Sequence, residues 1–133
     1  MKKHHLLLAF LIFVLASCGK KGNNILEDYG SYLTNSNSKQ WRLKKLYVNG
    51  NAQTLTPAQL LFAKTYKSDN SWVDTDGYSG TYSVESAQLL KETTINATGG
   101  NTVIDYKIYG LSANSMDLEY SYNQQTYRFV YEY

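Results

Sequence analysis

The chain has 133 residues, with 13 Lys or Arg, 11 Asp or Glu and a formal net charge of +2 at pH 7. Both histidines, His4 and His5, and two of the lysines precede the only cysteine, Cys18. A chain cleaved before Cys18 therefore keeps 11 basic and 11 acidic residues and no histidine, which excludes histidine-based catalysis, ordinary zinc or copper sites and the basic footprint of a nucleic-acid-binding protein. We predict a protein that is not an enzyme and needs no cofactor.

The first 17 residues have the layout of a secretory signal peptide. A basic start is followed by ten apolar residues, Leu6 to Leu15, too few for a membrane-spanning helix, which needs roughly 20. The sequence Leu15-Ala16-Ser17-Cys18 then resembles the lipobox of bacterial lipoproteins, where the cysteine thiol receives a diacylglycerol and the new amino group an acyl chain such as palmitate. Several acyl chains anchor a protein firmly. We predict a cleaved signal peptide over residues 1–17 and a lipid anchor at Cys18; an ordinary secretory peptide with an incidental cysteine is the alternative.

Residues 18–39 are predicted to carry the lipidated cysteine and a tether. Gly19 stands where an aspartate would indicate inner-membrane retention under the enterobacterial sorting rule, and residues 20–24 lack the acidic pair typical of surface export in Bacteroidota lipoproteins. These features predict an outer-membrane protein that faces the periplasm. Apolar residues recur every four positions from Ile25 to Leu33, which suits a short helix docked on the domain; a flexible tether is the alternative.

Residues 40–133 are predicted to form one all-β domain. Runs rich in Tyr, Thr and Val alternate with turn dipeptides such as Asn49-Gly50, and Thr56-Pro57 predicts a helical turn that ends at about Leu60. Eight strands of about seven residues leave about five residues for each connection, so we predict an antiparallel up-and-down eight-stranded barrel. The predicted strands are Gln40–Val48, Leu61–Lys67, Ser71–Thr75, Gly80–Glu85, Leu90–Ile95, Thr102–Tyr109, Ser115–Tyr122 and Gln125–Tyr133.

The last hairpin is predicted to have two different faces. A two-residue loop at Asn123-Gln124 pairs Tyr120 with Tyr127 on a face that is almost wholly aromatic or aliphatic, and it sets Glu119 opposite Arg128 on the solvent face. A four-residue loop keeps the same faces and moves the partners by two residues. A slip of one residue would move every aromatic ring to the other face, so the pattern restricts the register to these two options.

Several short motifs occur in an order that resembles the lipocalin-like lipoproteins of Bacteroidota. They are Trp41-Arg42-Leu43, the segment from Tyr66 to Trp72, Gly80-Thr81-Tyr82-Ser83-Val84, the segment from Tyr106 to Ser112, and Met116-Asp117-Leu118. The resemblance implies an eight-stranded calycin-type barrel and, by analogy, binding of a hydrophobic small molecule. Trp41 matches the first-strand tryptophan of lipocalins, Lys39 replaces their glycine, and Arg128 is a candidate for their late arginine, although the predicted hairpin turns it outward.

We therefore predict a membrane-tethered barrel that binds a small hydrophobic or amphipathic molecule in an aromatic cavity. The candidate lining residues are Tyr82, Tyr106, Ile108, Leu118, Tyr120, Phe129 and Tyr131. The same rings could instead fill a solid core, because an eight-stranded barrel is just wide enough for either. A solid barrel would suit an interaction or inhibitor module that docks on an envelope protein. The segment Asp74-Thr75-Asp76-Gly77 lacks the other ligands of a calcium loop, so we interpret it as a turn and predict no metal site.

Overall fold

The computed structural model describes residues 25–133. The predicted signal peptide, residues 1–17, and the predicted lipidation site, Cys18, lie outside the described residues. The structure contains helices α1 (Ile25–Thr34) and α2 (Pro57–Leu61), neither of them long and apolar enough to cross a membrane. The strands are β1 (Ser38–Val48), β2 (Asn51–Gln53), β3 (Ala63–Lys67), β4 (Ser71–Asp74), β5 (Ser79–Ser86), β6 (Leu89–Ile95), β7 (Asn101–Leu111), β8 (Ser115–Tyr122) and β9 (Gln125–Glu132).

Eight of these strands form a closed antiparallel barrel, as the sequence predicts. From β3 to β9 each strand pairs with the next along the chain, and β1 pairs with β3 on one edge and with β9 on the other. The small strand β2 folds back on the end of β1 and extends the sheet there. All-antiparallel neighbours and a return to the first strand are what an up-and-down barrel requires.

The element boundaries differ from the predicted ones by one or two residues at most of the strands, and one strand was missed. Strand β1 begins at Ser38, two residues early, and β2 was not predicted at all. Leu61, predicted as the start of a strand, is instead the last residue of α2, and β3 begins at Ala63. The helix forms because Thr56 and Gln59 make a capping box, in which the Thr56 hydroxyl accepts from the Gln59 amide at 3.3 Å and the Gln59 side chain accepts from the Thr56 amide at 2.9 Å.

Helix α1 packs across one end of the barrel, so the helical interpretation of Ile25–Leu33 is the one that the structure shows. Leu33 is fully buried, and its carbonyl accepts a hydrogen bond from the Trp41 indole nitrogen at 3.0 Å. The Lys39 ammonium donates to the carbonyls of Tyr32 and Ala113 and lies 4.2 Å from the Trp41 ring centre. These contacts fix the helix to β1 and to the β7–β8 connection. We call this end of the barrel the covered end and the opposite end the distal end.

The last hairpin has the register of the two-residue loop. Tyr120 pairs with Tyr127, and both loop residues have positive φ, 48° at Asn123 and 63° at Gln124, which matches a type I′ turn. The four-residue alternative is therefore excluded. Arg128 faces outward opposite Glu119 as predicted, but its guanidinium instead binds both carboxylate oxygens of Asp117, at 2.8 and 2.6 Å.

The core lies in the half of the barrel nearer α1. Its buried members are apolar or aromatic side chains from α1 and from all eight barrel strands, each exposed over less than a tenth of its surface. They are Leu33, Trp41, Leu43, Tyr66, Trp72, Tyr82, Leu90, Tyr106, Ile108, Met116, Leu118 and Tyr131. Burial of this apolar surface is the main force that holds the barrel together.

Candidate functional site

A continuous group of aromatic rings runs along the inner face of β7, β8 and β9. The Tyr120 ring centre lies 5.5 Å from that of Tyr106, 5.3 Å from Tyr127 and 5.9 Å from Phe129. Phe129 in turn stacks on Tyr131 at 6.2 Å. We call these five residues the aromatic cluster. Tyr106 and Tyr131 are buried, whereas Tyr120, Tyr127 and Phe129 are only half-buried, so one side of the cluster faces open space.

Two cavities adjoin the aromatic cluster. The larger, of about 510 Å³, is lined by Thr102, Val103, Ile104, Asp105, Tyr120, Ser121 and Tyr122. The smaller, of about 240 Å³, is lined by Leu43, Ala58, Gln59, Phe62, Asp76 and Phe129. Tyr120 lines the first cavity and Phe129 the second, and their rings are nearly parallel, with an angle of 3° between the planes. The stacked pair is therefore a wall shared by both cavities.

The larger cavity forms because β7 and β8 separate towards the distal end. Their ladder ends at Lys107 and Glu119, although β7 begins six residues before that pair and β8 continues three residues beyond it. On their other edges the same residues pair normally, β7 with β6 and β8 with β9. The facing edges of residues 101–106 and 120–122 thus have no ladder partner across the gap, and the cavity lies between them.

The seven predicted lining residues divide between the core and the cavities. Tyr120 and Phe129 line the two cavities. Ile108 and Leu118 are buried neighbours on β7 and β8. The remaining three are buried tyrosines, Tyr82, Tyr106 and Tyr131.

Other residues of the site were not among the predicted lining residues. Ile104 and Thr102 share the inward face of β7 with Tyr106, and Tyr122 shares that of β8 with Tyr120. Strand alternation assigns all three to the inner face, so the sequence contains a signal for them. The sequence does not show that β7 and β8 separate, and this separation is what makes the three positions accessible.

A buried ion pair crosses the interior next to the aromatic cluster. The Lys64 ammonium lies 2.7 Å from a Glu92 carboxylate oxygen, with 6% and 1% of the two side chains exposed. The Tyr66 hydroxyl donates to the other oxygen of Glu92, and the Lys64 ammonium lies 4.5 Å from the Trp72 ring centre and 5.4 Å from that of Tyr106. Strand alternation assigns both charged residues to the inner face, but no motif in the sequence indicates that they contact each other.

The tyrosine hydroxyls of the interior differ in their hydrogen bonding. Those of Tyr66 and Tyr82 donate to Glu92 and to the Lys67 carbonyl, whereas those of Tyr106, Tyr120 and Tyr131 have no hydrogen-bond partner within residues 25–133. In that part of the chain every fully buried side-chain nitrogen or oxygen does have a partner. The three hydroxyl oxygens are therefore not fully buried, although Tyr106 and Tyr131 are only 6% and 4% exposed.

Burial keeps these phenols in their protonated form. Desolvation, with the nearby Glu92 carboxylate as the next cause, raises the pKa of Tyr106 and Tyr131 well above its usual value. Desolvation also raises the pKa of Tyr120, and it raises that of Tyr82 to about 12. At neutral pH all four hydroxyls are thus uncharged groups that can both donate and accept a hydrogen bond.

The chemistry of the site is that of binding by rings, hydroxyls and a few charges. Within residues 25–133 no three His, Cys, Asp or Glu side chains come together as a metal site. The segment Asp74–Gly77 forms a turn, in which one Asp74 carboxylate oxygen accepts from the amides of Asp76 at 3.0 Å and Tyr78 at 2.9 Å. Its aspartates therefore have a structural role in the turn, as their sequence pattern indicates.

Comparison with models of known protein families, with curated proteins and with solved structures gave no match to this chain. The fold and the site by themselves define an antiparallel eight-stranded β-barrel with an aromatic cluster on its inner face.

Proposed function

We propose that this protein binds a small hydrophobic or amphipathic molecule in the distal half of its barrel. The observation that carries the proposal is the stacked pair of Tyr120 and Phe129, which forms a wall of both cavities. The larger cavity, at about 510 Å³, falls within the range of roughly 300–1,000 Å³ that is usual for small-molecule sites. Apolar walls with a few well-placed polar groups are the ordinary lining of such sites.

The two halves of the barrel have different roles in this proposal. The half nearer α1 is packed with buried side chains and gives the structure its stability. The distal half contributes rings that are only half-buried, and a ligand that covered them would gain the free energy of removing that apolar surface from water. The ligand would thus bury the apolar surface that the side chains of the distal half leave partly exposed.

A fluorescent titration tests the proposal. The neutral fluorophore N-phenyl-1-naphthylamine brightens in apolar sites, so we expect saturable binding by the full chain. The double variant Tyr120→Ala, Phe129→Ala removes both stacked rings, and we expect its affinity to fall by about tenfold or more, because aromatic contacts contribute about 0.5–1.5 kcal/mol each beyond area burial and 1.4 kcal/mol is tenfold.

The matched control is Tyr109→Ala, which removes an outward ring that lies against Arg128 instead of the cavities. Its affinity for the fluorophore should equal that of the unaltered chain. Equal affinity in a folded double variant would contradict the proposal. A folded chain that binds no fluorophore at all would favour the alternative, an interaction or inhibitor module of the cell envelope.

We also propose that the protein is a lipoprotein tethered to the membrane through Cys18, on the side of the outer membrane that faces the periplasm. Support comes from the sequence Leu15-Ala16-Ser17-Cys18 after an apolar segment, and from Gly19 after the cysteine. Cells that express the chain and are fed labelled palmitate should transfer the label to it. The variant Cys18→Ser should remain unlabelled, and label on this variant would contradict the anchor.

A further inference from the structure

The charged side chains around the interior space are unequal in sign. Strand alternation places Lys64, Asp74 and Glu92 on the inner face, where Lys64 is the ladder partner of Asp74 and forms the ion pair with Glu92. Beside the aromatic cluster one cation thus stands against two carboxylates; the other inward cation, Lys39, lies at the covered end, where its ammonium donates to the carbonyls of Tyr32 and Ala113. Within residues 25–133 the Asp74 carboxylate forms no salt bridge. It accepts hydrogen bonds only from backbone amides of its own turn, so its charge has no cationic partner there.

The two cavities repeat this imbalance. Each is lined by one charged residue, and in both cases it is an aspartate: Asp105 in the larger cavity and Asp76 in the smaller. Lys91 is the ladder partner of Asp105 on β6, but the two side chains form no salt bridge in the described part of the chain. An aspartate is therefore the one charged lining residue of each cavity.

The aromatic cluster also suits a cation. The faces of tyrosine and phenylalanine rings carry negative charge density and attract ammonium groups at distances up to about 6 Å. The interior already holds one such contact, because the Lys64 ammonium lies against the rings of Trp72 and Tyr106. Tyr106 and Tyr131, each more than nine-tenths buried, adjoin Tyr120 and Phe129 in the aromatic cluster, and their hydroxyls form no hydrogen bond with another residue in 25–133. Their oxygens can accept hydrogen bonds from an ammonium group.

From this arrangement we infer that the ligand is an amphipathic organic cation, an amine or a quaternary ammonium with an apolar tail. The head lies against the half-buried ring of Tyr120, on the side of the interior where Asp74 supplies the opposite charge, and the tail covers the stacked pair of Tyr120 and Phe129. The inference rests on the proposed function, since it names the chemical class that the same cavities take. Anionic amphiphiles such as fatty acids are disfavoured by the same carboxylates.

Three probes with one tail and different heads test the charge preference. They are decyltrimethylammonium, decanol and decanoate, each titrated calorimetrically into the full chain below the concentration at which the probe aggregates. We expect the cation to bind at least about fivefold more tightly than the alcohol, and the anion to bind most weakly, because a single unpaired carboxylate acts over a few ångströms in partly hydrated surroundings. Equal affinities, or tighter binding of decanoate, would overturn the inference while the proposed function stood. Binding of none of the three would overturn both.

A charge-neutral variant assigns the preference to one residue. Asp74→Asn keeps the oxygen that accepts from the amides of Asp76 and Tyr78 but removes the charge, so the turn should survive. Its affinity for decyltrimethylammonium should fall by about fivefold, with that for decanol unchanged.

The matched control is Asp69→Asn, because Asp69 likewise accepts from the amide of Ser71, two residues on, but is exposed in the β3–β4 turn. It should bind all three probes as the unaltered chain does. An Asp74→Asn variant that unfolds at the same urea concentration as the unaltered chain and keeps its preference for the cation would count against the site.

Discussion

The buried ion pair provides the sharpest test of what holds the barrel together. Glu92→Gln changes almost no volume, but it removes the negative charge next to the Lys64 ammonium. That ammonium lies 2.7 Å from the carboxylate, and its side chain is only 6% exposed, so water cannot replace the lost partner. The Tyr66 hydroxyl also exchanges an ionised acceptor for a neutral one. The substitution should therefore destabilise the fold strongly.

The expected cost is set by the uncompensated charge. Breaking a buried pair by removing one partner costs about 3–5 kcal/mol, whereas a domain of this size has a free energy of unfolding of about 5–15 kcal/mol. Since 1 kcal/mol shifts Tm by about 4–8 °C in a domain of 60–100 residues, Tm should fall by more than about 10 °C. Replacing the whole group, in the triple variant Lys64→Met, Glu92→Leu, Tyr66→Phe, leaves no polar atom unpaired and should recover most of the loss.

Urea unfolding followed by tryptophan fluorescence measures these differences. The control is Asp117→Asn, which removes a carboxylate from the Arg128 pair on the outer face, where the side chains are 39% and 19% exposed. It should cost less than about 1 kcal/mol, because water screens exposed pairs. If Glu92→Gln unfolds at the same urea concentration as the unaltered chain, the pair does not stabilise the fold as argued. If Glu92→Gln and Asp117→Asn lower the free energy of unfolding equally, burial does not strengthen the inner ion pair.

Three further outcomes follow from contacts in the fold. Gly80→Ala should destabilise the barrel by about 1–3 kcal/mol or more in urea unfolding, because an added Cβ would lie 1.9 Å from the Thr93 carbonyl oxygen; a neutral result would refute the close approach. Lys39→Met should speed amide hydrogen exchange in α1 more than in β9, since its ammonium bonds the helix to the barrel, and uniform exchange would contradict that role. Burial raises the pKa of Tyr82 to about 12. The stability that its protonated hydroxyl gives to the fold is therefore complete below pH 10 and is lost as the pH rises towards 12. The free energy of unfolding should fall over that range less steeply in Tyr82→Phe than in the unaltered chain, and identical slopes would refute the assignment.

The sequence predicted the barrel well because its strands obey local rules. Each strand alternates between inward and outward residues, and most connections contain a Gly, Asn or Asp that suits a turn. The register of the last hairpin could be reduced to two options, since a one-residue slip would invert its faces. The end of α2 was missed because Leu61 fits an apolar strand as well as a helix, and the capping box at Thr56 favoured the helix.

The site was harder to predict because it depends on how distant strands meet. Alternation assigns Tyr82, Tyr106 and Tyr120 to the same inner face, but only the stagger of the strands decides which of them lies in the packed half. The ion pair was missed for a related reason. Lys64 and Glu92 are 28 residues apart, and neither strand alone shows that an inward charge has an inward partner.

The separation of β7 and β8 has a consequence for how this chain behaves in concentrated solution. Two strand edges without a ladder partner face each other there, and such edges are templates on which a further strand, including one from another molecule, can pair. The unpaired edge of β7 carries Asp105, and Lys107, at which the ladder with β8 ends, lies next to that edge; charged side chains are a usual protection of natural edge strands. Neutral substitutions at these two positions are therefore expected to promote aggregation, because they remove the charges that hinder another molecule from pairing with the open edge.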